Sequence, residues 1–207
     1  MRLFMLTLGV LAAIAAVSPT RVASQPISAA SQGIATGGPD GQAKVQPGAI
    51  PAGWHKHVPP GAGYQIGLPT APQVHEMKQE TDEGVVKVRL AIIPVAEKSL
   101  GFAVLDSEFP ERLDLEYAED VLDNMEQSFV ASPGITLRSS KSITINGQPG
   151  RELLVDAEGP QGKGTARVRM LVTAERAIIL LVNVPEGVEQ SQDVDRFFNS
   201  FQLVKGE

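Results

Sequence analysis

The chain has 207 residues, with 24 Asp and Glu against 18 Lys and Arg, a net charge of −6 and no cysteine. This length suits one ordinary domain with a tail, and the acidic balance argues against nucleic-acid binding, which needs a basic stripe. The absence of cysteine excludes a lipid-anchored lipoprotein, a disulfide scaffold and cysteine catalysis.

The first 24 residues are typical of an export signal. Arg2 precedes an apolar or small stretch from Leu3 to Val17, and Val22-Ala23-Ser24 offers small residues for cleavage. The apolar stretch is shorter than the roughly 20 residues that span a bilayer, so we expect cleavage, with an uncleaved anchor as the alternative. We therefore predict an exported protein, periplasmic or extracellular, with no stable membrane insertion after leader removal.

Residues 25–53 are rich in Ala, Ser, Gly, Gln and Pro and follow neither a strand nor a helix period. Such a stretch buries too little apolar surface to offset the entropy lost on ordering. We predict a disordered linker over residues 25–53 and one folded domain over residues 54–204.

The first half of the domain alternates strand patterns with turn signals. Strands are predicted at 64–68, 74–79, 85–93 and 100–106. The acidic turn Thr81-Asp82-Glu83-Gly84 predicts a hairpin between the second and third of these strands. In the third strand, Lys87 and Arg89 alternate with aliphatic residues, which predicts one buried and one polar face.

A helix is predicted after Pro110, ending at Ser132-Pro133-Gly134. Five apolar residues step by three and four and define one stripe: Leu115, Ala118, Leu122, Met125 and Phe129. The opposite side is strongly acidic, and we interpret its carboxylates as a solvated face with no catalytic role.

The second half predicts strands at 135–137, 142–145, 151–157, 165–173 and 177–184, with a tight turn at Asn146-Gly147. Residues 177–184 are apolar on both faces, which predicts a central strand covered on both sides. The i, i+3, i+4, i+7 spacing of Val194, Phe197, Phe198 and Phe201 predicts a closing helix. The order of elements indicates an α+β fold with a single antiparallel β-sheet flanked by helices.

Candidate chemistry is sparse. His55 and His57 form a His-x-His pair that, with His75 or a carboxylate, could hold zinc or copper, although a solvent-exposed pair is the stronger interpretation. The glycine-rich loop 159–164 joins two strands rather than a strand and a helix, so it is interpreted as a hairpin connection and not a phosphate cradle. Because no nucleophile elbow is present and all histidines precede residue 76, the sequence predicts no catalytic, cofactor-binding or metal residue.

Basic residues recur on the polar faces of two predicted strands, as Lys87 with Arg89 and as Arg167 with Arg169. Two roles stay open for them. They either pair with acids of a covering helix or recognise an anionic partner, and alternating basic residues on a half-exposed strand are also common without either role.

Three segments resemble the PsbP-like domains, an α+β superfamily of PsbP and Mog type. They are Gly63-Tyr-x-Ile-x-Leu-Pro69, then Ile143-Thr-Ile-Asn-Gly-Gln-Pro-Gly-Arg-Glu-Leu153 after the acidic helix, and finally Arg196-Phe-Phe-Asn-Ser-Phe201. The resemblance covers roughly residues 54–203 and implies an antiparallel sheet packed between helices, an α/β/α sandwich. No functional residue is carried over from it.

Members of that superfamily mostly bind or stabilise other proteins, so the resemblance implies a binding or assembly role rather than catalysis. We therefore expect a non-enzymatic exported domain without a cofactor, whose partner is a protein or other component of the cell envelope. Two alternatives stay open. One is an enzyme with an unfamiliar site, and the other is a metal or small-ligand carrier that uses the His55 and His57 region.

Overall fold

The computed structural model describes residues 43–45, 47–81, 84–95, 100–159, 162–184 and 191–204. The predicted leader, residues 25–42 of the predicted linker, Asp82 and Glu83 of the acidic turn, and Pro160 and Gln161 of the glycine-rich loop lie outside the described residues. No helix in the described part of the chain is both long and apolar enough to span a bilayer.

Strands dominate the described residues, and two α-helices accompany them. The elements in chain order are β1 (Ala43–Val45), β2 (His55–His57), β3 (Tyr64–Leu68), β4 (Gln73–Thr81), β5 (Gly84–Val95), β6 (Leu100–Glu108), α1 (Ala118–Val130), β7 (Ile135–Ile145), β8 (Gln148–Gly159), β9 (Gly162–Val172), β10 (Arg176–Val184), α2 (Gln192–Asn199) and β11 (Gln202–Leu203).

The α+β class is confirmed, but the prediction of a single antiparallel sheet is not. Eight strands form a large sheet in the order β1-β7-β8-β9-β10-β6-β5-β4, and β11, β3 and β2 form a second, small sheet. All pairs are antiparallel except β1 with β7, which is parallel. The short strands β1, β2 and β11 escaped prediction because two or three residues carry no detectable period.

Each face of the large sheet is covered by one helix. On one face α1 packs its buried stripe, including Leu122 and Phe129, against inward residues of β5, β6 and β8–β10. On the other face α2 and the small sheet pack together, with Phe197 and Tyr64 among their fully buried side chains. The two cores explain why β10 is apolar on both faces: it lies between β9 and β6 with its odd-numbered residues toward α1 and its even-numbered residues toward α2, as predicted for a central strand.

The first helix begins later than the sequence indicated. Residues 115–117 form a 3-10 turn, and Asp114 accepts a hydrogen bond from the backbone N–H of Glu116 at its start. Leu113 N–H donates to Ala174 O at 2.7 Å, which ties the preceding segment to the β9–β10 connection instead of a helical turn. Leu115, assigned above to the buried stripe, is therefore 41 % exposed.

Two turns lie where their residue types predicted them. The helix ends before Gly134, which has φ +79 and whose missing Cβ would lie 2.3 Å from Glu158 O. Asn146 and Gly147, both with positive φ, connect β7 directly to β8, and the segments predicted at 135–137 and 142–145 form one strand with a bulge between Leu137 and Ser139.

Within the predicted linker, residues 43–45 form a strand and Gly48 contacts the second helix region. Ala43–Val45 pair with Ile143–Ile145, Gly48 N–H donates to Asn199 O, and Gln202 Nε2 donates to Gly48 O at 2.8 Å. These contacts come from residues far away in the sequence. Isolated aliphatic residues without a local period are sufficient to order a segment when another part of the fold supplies the partners.

Candidate functional site

Charged residues line an open cleft of about 200 Å³ on the face of the large sheet that carries the small sheet. We call it the Asp106 cleft. It lies where the β4–β5 ribbon meets the end of β6 and the start of β10, and its lining residues are Glu76, Met77, Lys78, Lys87, Val88, Arg89, Asp106, Glu108 and Arg176. The lining carries four cationic and three acidic side chains, in a protein whose net charge is −6.

Strand register explains why opposite charges meet there. Arg89 lies opposite Asp106 and Lys87 opposite Glu108 in the β5–β6 pair, while Arg176 lies opposite Glu108 in the β10–β6 pair. Directly opposite residues on one face of an antiparallel pair are close enough to interact. The predicted alternation of β5 is confirmed, because Val86, Val88 and Leu90 are buried on the other face.

Asp106 is the centre of the cluster. The carboxylate of Asp106 is buried. Its Oδ2 accepts a hydrogen bond from Tyr64 Oη at 2.9 Å, and its Oδ1 accepts one from Arg176 Nη1 at 3.0 Å. Arg89 Nη1 lies 3.5 Å from Oδ2. A buried charge persists only when it is paired and hydrogen-bonded in this way. Burial and the adjacent Asp106 carboxylate both raise the pKa of Tyr64, so its hydroxyl remains a donor.

The two arginines also tie the cluster to the loop that precedes β3. Arg176 Nη2 donates to Gly61 O at 2.8 Å, and Arg89 Nη2 donates to Pro60 O at 3.3 Å. Arg89 Nε donates to Glu76 at 3.0 Å. Arg89 Nη1 and Arg176 Nε are buried but donate no hydrogen bond to any residue in the described part of the chain. Unsatisfied buried donors are uncommon, and a carboxylate, a carbonyl or water would satisfy these two.

The His-x-His pair lies on β2 at the edge of this region. His55 is exposed and His57 is half-buried, opposite Ile66 of β3, with its Nε2 buried and without a hydrogen-bond partner among the described residues. His75 lies on β4, opposite Leu90. Within the ranges that the structure describes, no three His, Asp or Glu side chains come together in an arrangement suited to a metal ion.

His57 is expected to make the stability of the fold pH-dependent. Burial lowers its pKa below 6.5, nearby His55 and Arg89 lower it further, and Asp106 opposes them. The unfolded chain therefore binds a proton more readily, and the free energy of unfolding should fall as the pH drops from about 7.5 to about 5.5. Urea titrations at both pH values measure this slope.

The substitution His57→Gln should reduce that pH slope, whereas His75→Gln on exposed β4 should retain it. An unchanged slope in His57→Gln would show that other groups cause the pH dependence.

A second buried charge cluster, which no local sequence pattern predicts, lies beneath α2. Glu152 on β8 accepts from Arg169 Nε at 2.6 Å and from Arg167 Nη2 at 3.2 Å, and Arg167 Nη1 donates to Asp195 of α2 at 2.8 Å. Both guanidinium groups lie about 5 Å from the Phe198 ring, at 5.1 and 4.9 Å. Of the two roles left open for Arg167, pairing with a covering helix is thus realised. The available signal was an acid, Glu152, directly before the apolar residues 153–155 of a predicted strand.

The acidic side of α1 is less solvated than the sequence indicated. Arg151, on the α1 side of β8, lies 2.9 Å from Glu119 and 3.0 Å from Glu126 and also pairs with Asp123. Glu119 and Asp123 remain about half exposed, as predicted for a solvated face, whereas the Glu126 side chain is only 15% exposed. The three carboxylates hold α1 to the sheet, because Arg151 projects from β8 between them.

No protein-family model matches the chain, and no curated protein matches it in sequence. Similar solved structures include the solution structure of cyanobacterial PsbP (CyanoP) from Synechocystis sp. PCC 6803, with 16% identity, TM-score 0.48, and coverage of 75% of this chain and 96% of that chain. LpqN of Mycobacterium tuberculosis, described as involved in cell envelope biogenesis, is 10% identical with TM-score 0.46 over 65% of this chain and 86% of its own.

A protein of unknown function from Pseudomonas aeruginosa, described as a putative regulator, is 15% identical with TM-score 0.42 over 64% of this chain and 99% of its own. All three TM-scores lie below 0.5, so no property of these proteins is transferred to this chain.

Proposed function

We propose that this chain is an exported, non-enzymatic binding or assembly domain that engages a protein partner in the cell envelope through the Asp106 cleft. The observation that carries the proposal is an open cleft whose lining combines four cationic with three acidic side chains, with Lys87 exposed at its rim. A partner segment with carboxylates and backbone carbonyls would offer acceptors to the cationic side chains of this lining.

The composition of the cleft also favours a protein segment over a small substrate. Side chains of both charges line the opening, and a polar, solvent-accessible lining is typical of the rim of a protein interface. Lys87 stands at the rim with 66% of its side chain exposed, where it would steer an acidic segment toward the arginines. The envelope as the place of action rests on the predicted leader.

Site-specific photo-cross-linking in the source cells tests this proposal. A photoreactive residue at position 87, on the full chain with its own leader, should give an adduct with one partner of defined mass. The matched control is position 163, since the Lys163 side chain is 80% exposed but lies away from the cleft, at the start of β9.

Identical adducts at both positions, or none at position 87, would contradict partner binding at the cleft. An adduct of twice the chain's own mass would report contact between two copies instead of a heterologous partner.

A further inference from the structure

Strand β4 forms one outer edge of the large sheet. It is nine residues long and pairs with β5 on one side, and no strand of the described residues pairs with its other side. In an antiparallel pair every second residue directs its N–H and C=O away from the neighbour, so β4 presents a row of backbone donors and acceptors. Residues 73–78 are exposed, including Met77 at 36%. Such an edge is a template for a further strand.

The charges on β4 are arranged symmetrically about Met77. Glu76 precedes it and Lys78 follows it, so both charged side chains lie on the face opposite to Met77. Within the chain, Lys78 lies opposite Lys87 of β5, a like-charge pair, and it forms no ion pair with a described residue. Lys87 forms an ion pair of its own, with its Nζ 3.5 Å from Glu108 Oε2. Lys78 therefore has no ion-pair partner among the described residues, and the residue directly opposite it carries the same charge.

We propose that β4 pairs with β4 of a second copy of this chain, antiparallel about a two-fold axis at Met77. In this register Met77 faces Met77 of the second copy, and Glu76 faces Lys78 of the second copy on both sides of the axis. Each Lys78 gains a carboxylate directly opposite it, whereas its own chain places Lys87 opposite it. Two exposed methionines bury against each other, and the eight-stranded sheet becomes continuous across the dimer.

Neighbouring registers are disfavoured by the same residues. A two-fold axis at Glu76 brings two carboxylates together, and an axis at Lys78 brings two ammonium groups together and also places Glu76 opposite Glu80. A one-residue slip puts paired side chains on opposite faces of the sheet, which antiparallel pairing does not allow. The charge pattern thus selects the Met77 register and a second copy as the occupant.

Charge reversal at two positions gives a decisive test. Sedimentation analysis of the purified exported chain should show a concentration-dependent dimer. Lys78→Glu places carboxylates opposite Glu76 of the second copy, and Glu76→Lys places ammonium groups opposite Lys78. Each variant alone should weaken dimerisation by on the order of tenfold to a hundredfold, since two attractive cross-strand pairs become repulsive. An equimolar mixture should form a heterodimer, because every facing pair is then opposite in charge.

The variants have internal controls. Lys78→Glu faces Lys87 within its own chain, so circular dichroism and thermal unfolding should show a monomer at least as stable as the original. Lys163→Glu reverses a highly exposed lysine elsewhere and should leave the dimer unchanged.

A wild-type chain that stays monomeric up to its solubility limit, a dimer that tolerates both single reversals, or a mixture that fails to associate would overturn the proposal. Failure here leaves the cross-link at position 87 to a heterologous partner unaffected, so the two proposals are tested separately.

Discussion

Replacing Glu152 with glutamine should reduce the free energy of unfolding by about 3–5 kcal/mol, because it leaves two guanidinium groups under α2 without their shared counter-charge. Asp195 still pairs with Arg167, but the buried Arg169 forms its ion pair with Glu152 and already has one donor, Nη1, without an acceptor among the described residues. Unfolding with guanidinium chloride, followed by the fluorescence of Trp54, the only tryptophan, measures the loss of stability.

The matched control removes an exposed partner of the same carboxylate. Lys141 Nζ lies 2.8 Å from Glu152, but its side chain is largely exposed, so Lys141→Met should cost less than about 1 kcal/mol. Equal losses in the two variants would show that the buried position of Arg169 does not determine the effect.

The lowered pKa of Glu152 also leads us to expect a loss of stability in acid. Burial alone would raise the pKa of Glu152, but Arg169 and Arg167 outweigh burial and hold the pKa at about 2, against 4.5 for an ordinary glutamate. The unfolded chain then binds a proton first, so the stabilising contribution of Glu152 is complete above about pH 4.5 and is lost as the pH falls toward about 2. Glu152→Gln should flatten the stability profile within that window.

Asp106→Asn is the second substitution with a large expected effect, again about 3–5 kcal/mol. The amide keeps one acceptor for Tyr64 or Arg176 but removes the negative charge that both arginines share. Because Arg176 and Arg89 also hold the loop at Pro60 and Gly61, the small sheet should loosen with the cluster. Chemical unfolding gives the energy, and hydrogen exchange of residues 59–68 reports the loosening.

Glu108→Gln provides the comparison for Asp106. Glu108 lies on β6, like Asp106, and its carboxylate is 3.4 Å from Arg176 Nη2. Because the Glu108 side chain is partly exposed, removing its charge should cost about 1 kcal/mol or less. If Asp106→Asn costs no more than Glu108→Gln, Asp106 is not the group that holds the cluster together.

Elements with a strong local pattern were predictable. The alternation of Val86, Val88 and Leu90 and the spacing of Phe197, Phe198 and Phe201 each repeat over several residues, and the structure buries the predicted side of both. Asn146-Gly147 was predictable for a different reason, since few residue pairs adopt positive φ at low cost. The prediction that Leu115 is buried was wrong, because the hydrogen bonds at Asp114 and between Leu113 and Ala174 delay the start of the helix.

The Asp106 cleft could be predicted only in part. The sequence places Lys87 and Arg89 on one face of a strand, but it does not indicate which acids they meet. Asp106 and Arg176 are separated by seventy positions and come within 3.0 Å because β6 and β10 pair in one particular register. The same holds for Glu152 with Arg169, whose pairing depends on the β8–β9 register.

The sequence by itself determined the local periods, the turns, the α+β class and the prediction of export, because each depends on neighbouring residues and their steric or apolar preferences. Tertiary structure alone decided the second sheet, the contacts of residues 43–45 and of Gly48, and the pairing of buried charges. Those features depend on contacts between residues distant in the chain, where register and burial determine which partner a side chain meets. The predicted leader indicates export, and the arrangement of charges around Asp106 and along β4 provides the surfaces through which we propose that the protein acts.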